Sequence, residues 1–414
     1  MRPFTNVKRP GGHGPPGLGG RRAYPMWLAA YAFAVVMLGT TLPTPLYPIY
    51  ERLWGFSPLV ITVIFAVYAV GVIAALLCLG SLSDRVGRRP ALLAGLALSA
   101  ASAVAFLLAG GLGALLVGRA LSGLSAGIFT GAGTATLADF GPPARPSLAS
   151  GVATAANLGG LGCGTLLAGV LAAVATAPLR LPFWVDLALL APAAAAVIAI
   201  PETVRRSGTG GLLRVQRLRV PAQLRKTFAR AAAAGFASFA MSGLFSAIAP
   251  TFLARLLHLP SPALAGAVVF VLFASSAAGQ LVLGRMPSRA GLPAGCVGII
   301  LGAGLTAAAL ALNSLTFLIA GAVVAGLGQG FSVGAGLAML NAGTPAGRRG
   351  EVSSSYFVLL YLALSIPIVG MGLVTQLTGL REAGLIFTAF VAVLAAACLI
   401  SLRDPPSRVP GAGA

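Results

Sequence analysis

The stretch GSLSDRVGRRP, residues 80–90, places Asp84, Arg85, Arg88 and Arg89 between two long apolar runs. The 414-residue chain around it is 57% hydrophobic and only 9% charged, with a mean hydropathy of +0.94 and 55 glycines. Such a chain has too little polar surface to cover a soluble globule, whereas helices that face lipid need almost none. Apolar runs of about 20 residues, enough to cross a hydrocarbon core of about 30 Å, recur along nearly its whole length. Twelve spans are predicted, over 26–48, 58–79, 91–109, 113–136, 148–174, 182–200, 229–254, 262–284, 293–312, 315–340, 352–377 and 382–402. The fold class expected is an all-α integral membrane protein.

Charge sets the orientation. With a cytosolic N-terminus, 23 of the 28 Lys and Arg fall on the face that carries residues 80–90. The other face has four, Arg52, Arg180, Arg255 and Arg381, and Arg119 lies within a span. Both termini are therefore expected inside. Residues 1–25 read as a disordered basic tail before a retained first helix, because the next apolar run is too long for a signal-peptide core. The net charge of +20 follows from this asymmetry and from contact with anionic lipid, so no nucleic-acid partner is invoked. A composition of 26 arginines against two lysines, Lys8 and Lys226, suggests a GC-rich bacterial genome and hence a bacterial plasma membrane. All four cysteines fall in predicted spans, and the histidines are His13 and His258 alone. No disulfide, metal or cofactor is expected. A membrane enzyme is disfavoured because no span holds two carboxylates.

An internal repeat organises the chain. At an offset of 204, Ser57-Pro58 matches Ser261-Pro262, and LGSLSDRVGRRP lies over LGRMPSRAGLPA. At 203, Gly123, Gly127, Gly131 and Gly133 fall on Gly326, Gly330, Gly334 and Gly336. The expected organisation is a six-helix half at 26–200, a cytosolic linker at 201–228, a second half at 229–402 and a cytosolic tail at 403–414. Parallel halves of this kind enclose a site near the bilayer midplane.

The stretch at 80–90 resembles the loop signature of the major facilitator superfamily, G-x-x-x-D-[RK]-x-G-[RK]-[RK], at Gly80, Asp84, Arg85, Gly87, Arg88 and Arg89. Arg119-x-x-x-Gly123-x-x-x-Gly127 and Pro201-Glu202-Thr203 are similar to further elements of that family, while the fifth span lacks the Gly-Pro pair of its proton-driven drug antiporters. The resemblance implies a latch in which Asp84 caps the eleventh span near Val352 and Arg88 pairs with Asp139. It also implies that Glu202 belongs to a charge cluster with Arg145 or Arg205; a solvated helix end is the other reading of Glu202.

Within the membrane, Arg119 is about 9 Å from the nearer boundary, where an unpaired arginine costs a few kcal/mol. A place on the central cavity, binding an anionic substrate or tuning a proton site, is the reading preferred over snorkelling. Asp186 is expected to be structural. The prolines of TTLPTPLYPIY, residues 40–50, should bend the first span into a polar gate. Cavity candidates are Thr41, Thr44, Tyr47, Asn157, Gln280, Gln329, Tyr356 and Tyr361. The function expected is secondary active transport of a small organic molecule by alternating access in a monomer, with proton-coupled efflux as the leading form. The alternatives are import of a sugar or metabolite, and a non-transporting sensor on the same fold.

Overall fold

The computed structural model describes residues 23–79, 82–142, 144–204, 218, 220–345 and 348–402. Gly80, the tails at 1–22 and 403–414 and most of the linker lie outside the described residues. Among those described, twelve helices are long and apolar enough to cross a bilayer. In chain order these spans are Tyr24–Trp54, Pro58–Leu79, Arg88–Leu107, Leu112–Phe140, Ser147–Val174, Leu181–Ala199, Ala222–Ala247, Pro262–Leu283, Gly291–Leu312, Leu315–Gly343, Arg349–Thr378 and Leu380–Ser401. Several outrun the apolar runs of the sequence, because a helix continues through polar residues until its backbone is interrupted. Large apolar side chains such as Val70, Trp184, Leu301 and Leu377 stand exposed on the outside, as lipid-facing surfaces require.

Two interruptions matter for the site. In the first span the helix Ala23–Thr41 stops, a single 3-10 turn covers Thr44–Leu46, and a short helix resumes over Tyr47–Trp54. Pro43 and Pro45 cannot donate to the carbonyls four residues earlier, so the last turn is left open. The seventh span was expected to continue to residue 254. Instead it ends at Ala247, and a separate short helix, Ala249–Arg255, follows after Ile248.

The repeat is built into the packing. Gly123 of the fourth span presses against the Tyr68 carbonyl of the second, and Gly326 of the tenth presses against the Leu272 carbonyl of the eighth. The two halves meet along two seams, the fifth span against the eighth and the second against the eleventh. On the first seam, Thr165 donates to the Gly266 carbonyl at 3.1 Å.

Candidate functional site

Between the halves lies a cavity of about 970 Å³. Its lining runs from Thr40 and Arg119 at mid-depth out to Ser147, Met286, Ser288 and Asn341 at the end that carries Arg88. We call this the basic end. The opposite end is shut: Tyr47, Tyr50, Glu51 and Thr251 are all buried there.

Arg119 is the charged side chain on the cavity wall among the described residues. It is 1% exposed, and its place follows from the prolines of the first span. Because the helix stops at Thr41, the carbonyl of Thr40 has no helical donor, and Arg119 Nη1 donates to it at 2.6 Å. A cation is also favoured at that negative helix end. The guanidinium carbon sits 4.7 Å from the ring centre of Tyr68 and 5.4 Å from that of Phe65, so two aromatic faces replace part of the lost hydration. Nε has no partner. The buried arginine thus keeps one donor without a partner beside the cavity.

Of the polar cavity candidates, Thr41, Asn157, Gln280, Gln329 and Tyr361 lie on the wall. Thr41 gives its hydroxyl to the Leu161 carbonyl at 2.7 Å. Gln280 accepts from Thr154 across the halves at 3.1 Å. Gln329 is 3% exposed and its Oε1 has no partner. Tyr361 meets Tyr68 edge to face at 6.3 Å and Phe239 at 5.9 Å, closing an aromatic wall around the arginine. Three candidates lie elsewhere. Thr44 and Tyr47 belong to the shut end, beyond the break in the first span. Tyr356 is buried against Gly235 and Gly336, because the face of the eleventh span that meets the cavity is Phe357, Tyr361 and Leu364, spaced by four and three residues. Asp186, 2% exposed, rests against Gly39, where a side-chain carbon would come within 2.9 Å of its Oδ2.

At the basic end, Arg88 gathers Asp84 at 2.6 Å, Ser83 at 2.6 Å and Asp139 at 3.1 Å. Asp84 therefore lies on Arg88 in this conformation, and Val352, near which the resemblance places it, is fully buried in the second half. Gly87, at φ +106°, turns the chain into the third span at an angle that favours glycine. The resemblance implies Arg145 or Arg205 as partners of Glu202, and Arg205 lies outside the described residues. The structure gives Glu202 the backbone N–H groups of Arg88 at 2.9 Å and Arg89 at 3.0 Å, the first donors of the third helix. Burial opposes its charge, but those bonds and the Val204 N–H outweigh it and hold the carboxyl below the usual range. This anion is what lets two arginines begin a helix at its positive end.

At the shut end, Glu51 is bonded to Arg255 across the halves. Gln376 approaches Ser57 at 3.5 Å on the other seam.

Twelve spans in two halves around a central cavity open at one end agree with comparisons to known proteins. A bacterial homologue of the human lysosomal transporter Spinster, solved inward-facing and unoccupied, superposes with a TM-score of 0.72 at 18% identity, covering 94% of this chain and 98% of that one. The human organic anion transporter MFSD10 (TETRAN) gives a TM-score of 0.66 at 18% identity, covering 94% and 100%. No curated protein sequence matches significantly. The sequence profile of the Major Facilitator Superfamily matches residues 29–366 and 231–414, and the chain belongs to that family of membrane transporters.

Proposed function

We propose that the chain exports a small organic anion by alternating access, with the substrate's charged group on Arg119. The observation that carries this reading is a buried guanidinium with a free Nε on a cavity whose described lining includes no Asp, Glu or His. A charge-assisted hydrogen bond at that donor would add about 1.5–3 kcal/mol to anion binding. The faces of Phe65, Tyr68, Phe239 and Tyr361 suit an apolar or ring-bearing remainder. One structural relative is named as an organic anion transporter, and the same class of substrate is proposed here on the strength of Arg119.

The 23-to-4 distribution of basic residues supports a cytosolic basic end in a bacterial plasma membrane. The cavity would then be open to the cytosol. Both of its walls come from one chain, which supports a monomer as the transport unit. An anion leaving a cytosol held about 100 mV negative gains about 2.3 kcal/mol per charge, enough for a roughly 50-fold gradient. Proton coupling, expected from sequence, calls for a titratable carboxylate or imidazole on the wall. Potential-driven export takes its place in this reading.

The test is a thermal-stabilisation screen of purified protein against organic carboxylates and sulfonates, each paired with its neutral amide. Acids are expected to stabilise the protein and their amides to fail. Arg119→Gln should weaken binding by about 10- to 100-fold while preserving the melting temperature of the empty protein within a few degrees. Neutral or cationic hits, or binding that survives Arg119→Gln, would overturn the assignment.

A further inference from the structure

Among the described residues, ten buried side-chain oxygen or nitrogen atoms lack a hydrogen-bond partner, and three of them belong to side chains on the cavity wall. One is Arg119 Nε, in the first half. The others are Ser276 Oγ in the eighth span and Gln329 Oε1 in the tenth, both in the second half. By contrast, the hydroxyls of Thr40, Thr41, Thr130 and Ser242 on the same wall are each given to a main-chain carbonyl at 2.7–3.1 Å.

The internal repeat shows that packing calls for neither residue. Gly127 of the fourth span rests on the Val72 carbonyl as Gly330 of the tenth rests on the Ser276 carbonyl. Val72 and Ser276 therefore hold the same place in the two halves, and so do Ala126 and Gln329, the residues just before those glycines. The first half fills both places with buried apolar side chains. The second half has a hydroxyl and a carboxamide there, and the protein compensates the desolvation of neither oxygen. Charge is divided the other way, since Arg119 falls on Ala322 at the offset of 203.

We propose that Ser276 and Gln329 form a neutral subsite of the cavity, which binds a hydroxyl or carboxamide of the same solute whose anionic group rests on Arg119. The Ser276 hydroxyl both donates and accepts, and a half-turn about the last torsion of Gln329 exchanges its acceptor for a donor. The group that completes both must also donate and accept, as a hydroxyl or carboxamide does and an ether, an ester or a second carboxylate does not. The subsite rests on the anion reading of Arg119. It narrows the substrate to organic acids with a second, uncharged polar end.

The experiment uses the purified full chain and a ladder of phenylalkanoic acids, from phenylacetate to phenylhexanoate, each plain, with a para-hydroxyl and with a para-carboxamide. Affinities are read from titrations of the melting temperature. At one chain length a para group should tighten binding about tenfold over the plain acid. That advantage should fall to within about twofold in Gln329→Leu and to about threefold in Ser276→Ala. A second measurement needs no ligand. Because the double variant Gln329→Leu with Ser276→Ala loses two unpartnered buried oxygens, the empty protein should melt at the parent temperature or a few degrees above it. Acids that bind through Arg119 but gain nothing from a para group at any length, an advantage that survives Gln329→Leu, or a double variant that melts several degrees lower would each overturn the subsite and leave the anion reading standing. Acids that do not bind, or whose binding survives Arg119→Gln, would overturn that reading and the subsite with it.

Discussion

The two ends of the bundle use their few charges in different ways. At the basic end, Arg88 with Asp84 and Asp139, and Arg348 with Glu351, are pairs within a single half. They shape the mouth of the cavity without tying one half to the other. At the shut end, Glu51 and Arg255 tie the halves together. The division is one of ions, since among neutral groups Thr154 meets Gln280 across the halves toward the basic end as Gln376 approaches Ser57 at the shut end. An open end can keep its ions only as local bonds, whereas a closed end can share them. The conformation is therefore legible in which residues are paired as much as in where the cavity opens.

The largest effect is expected at the seam about which the halves would rock. A side-chain carbon at Gly266 would run into the Thr165 carbonyl, whereas one at Gly304 meets nothing within 4 Å. Gly266→Val drives a side chain into the backbone of the fifth span, a cost of about 1–3 kcal/mol or more. Thermal unfolding in detergent should show a loss of several degrees for Gly266→Val and almost none for Gly304→Ala. A tolerated valine would mean that the fifth and eighth spans are not held in fixed contact, and the contrast between a tied and an untied end would lose its pivot.

A smaller effect is expected at Asp84, whose side chain is 63% exposed and rests on Arg88 while the basic end is open. The family resemblance implies that it moves to the start of the eleventh span when that end shuts. A carboxylate at a helix N-terminus contributes about 0.3–2 kcal/mol, against about 0.3–0.5 kcal/mol for the exposed pair it leaves. With the four cysteines replaced by Ala and Thr44→Cys added at the shut end as a reporter, Asp84→Asn should then favour the present conformation and slow labelling by a charged maleimide about threefold. Ser288→Ala, at the equivalent position of the second half, should leave the rate unchanged. Equal rates for both would make Asp84 a purely local partner of Arg88.

What the sequence revealed and what it hid follow from how each feature is encoded. Span number and the two-half plan were legible because lipid imposes long apolar runs and because Gly123 and Gly326 repeat where backbones touch. Arg119 stood out as a basic charge deep in a span, yet its partner is the main-chain carbonyl of Thr40 at a helix end, which no pairing of residue types announces. Glu202 escaped for the same reason, since its donors are backbone N–H groups. Tyr356 misled because a phenol suggests a wet surface, and only the packing against Gly235 and Gly336 reveals the face it occupies. Glu51 and Arg255 carried a usable signal. Opposite charges at positions that the offset of 204 makes equivalent, near the ends of the first and seventh spans, are what a pair between the halves looks like in sequence, although a search for matched residues passes over a mismatch.

The smallest effect belongs to Glu202 and sharpens the comparison by pH. Its carboxyl is held below the usual range by bonds from the third helix, so the native state binds its proton less readily than the unfolded chain. The stability this contributes is fully present above the unfolded value of about 4.3 and is lost as pH falls through the lower folded value. Glu202→Gln keeps the shape of the side chain but removes the charge from the helix end. Because the group is exposed, solvent screening limits the difference to about 1–2 °C of melting temperature at pH 7. That gap should close as both proteins are brought to about pH 3. Labelling at the Thr44→Cys reporter should not respond to the substitution at all, because every bond of Glu202 among the described residues lies within its own half. A gap that persists in acid would show that Gln disturbs the loop by shape alone. A change in reporter labelling would show that the basic end is coupled across the halves even while open, and the contrast between local and shared bonds would fail there.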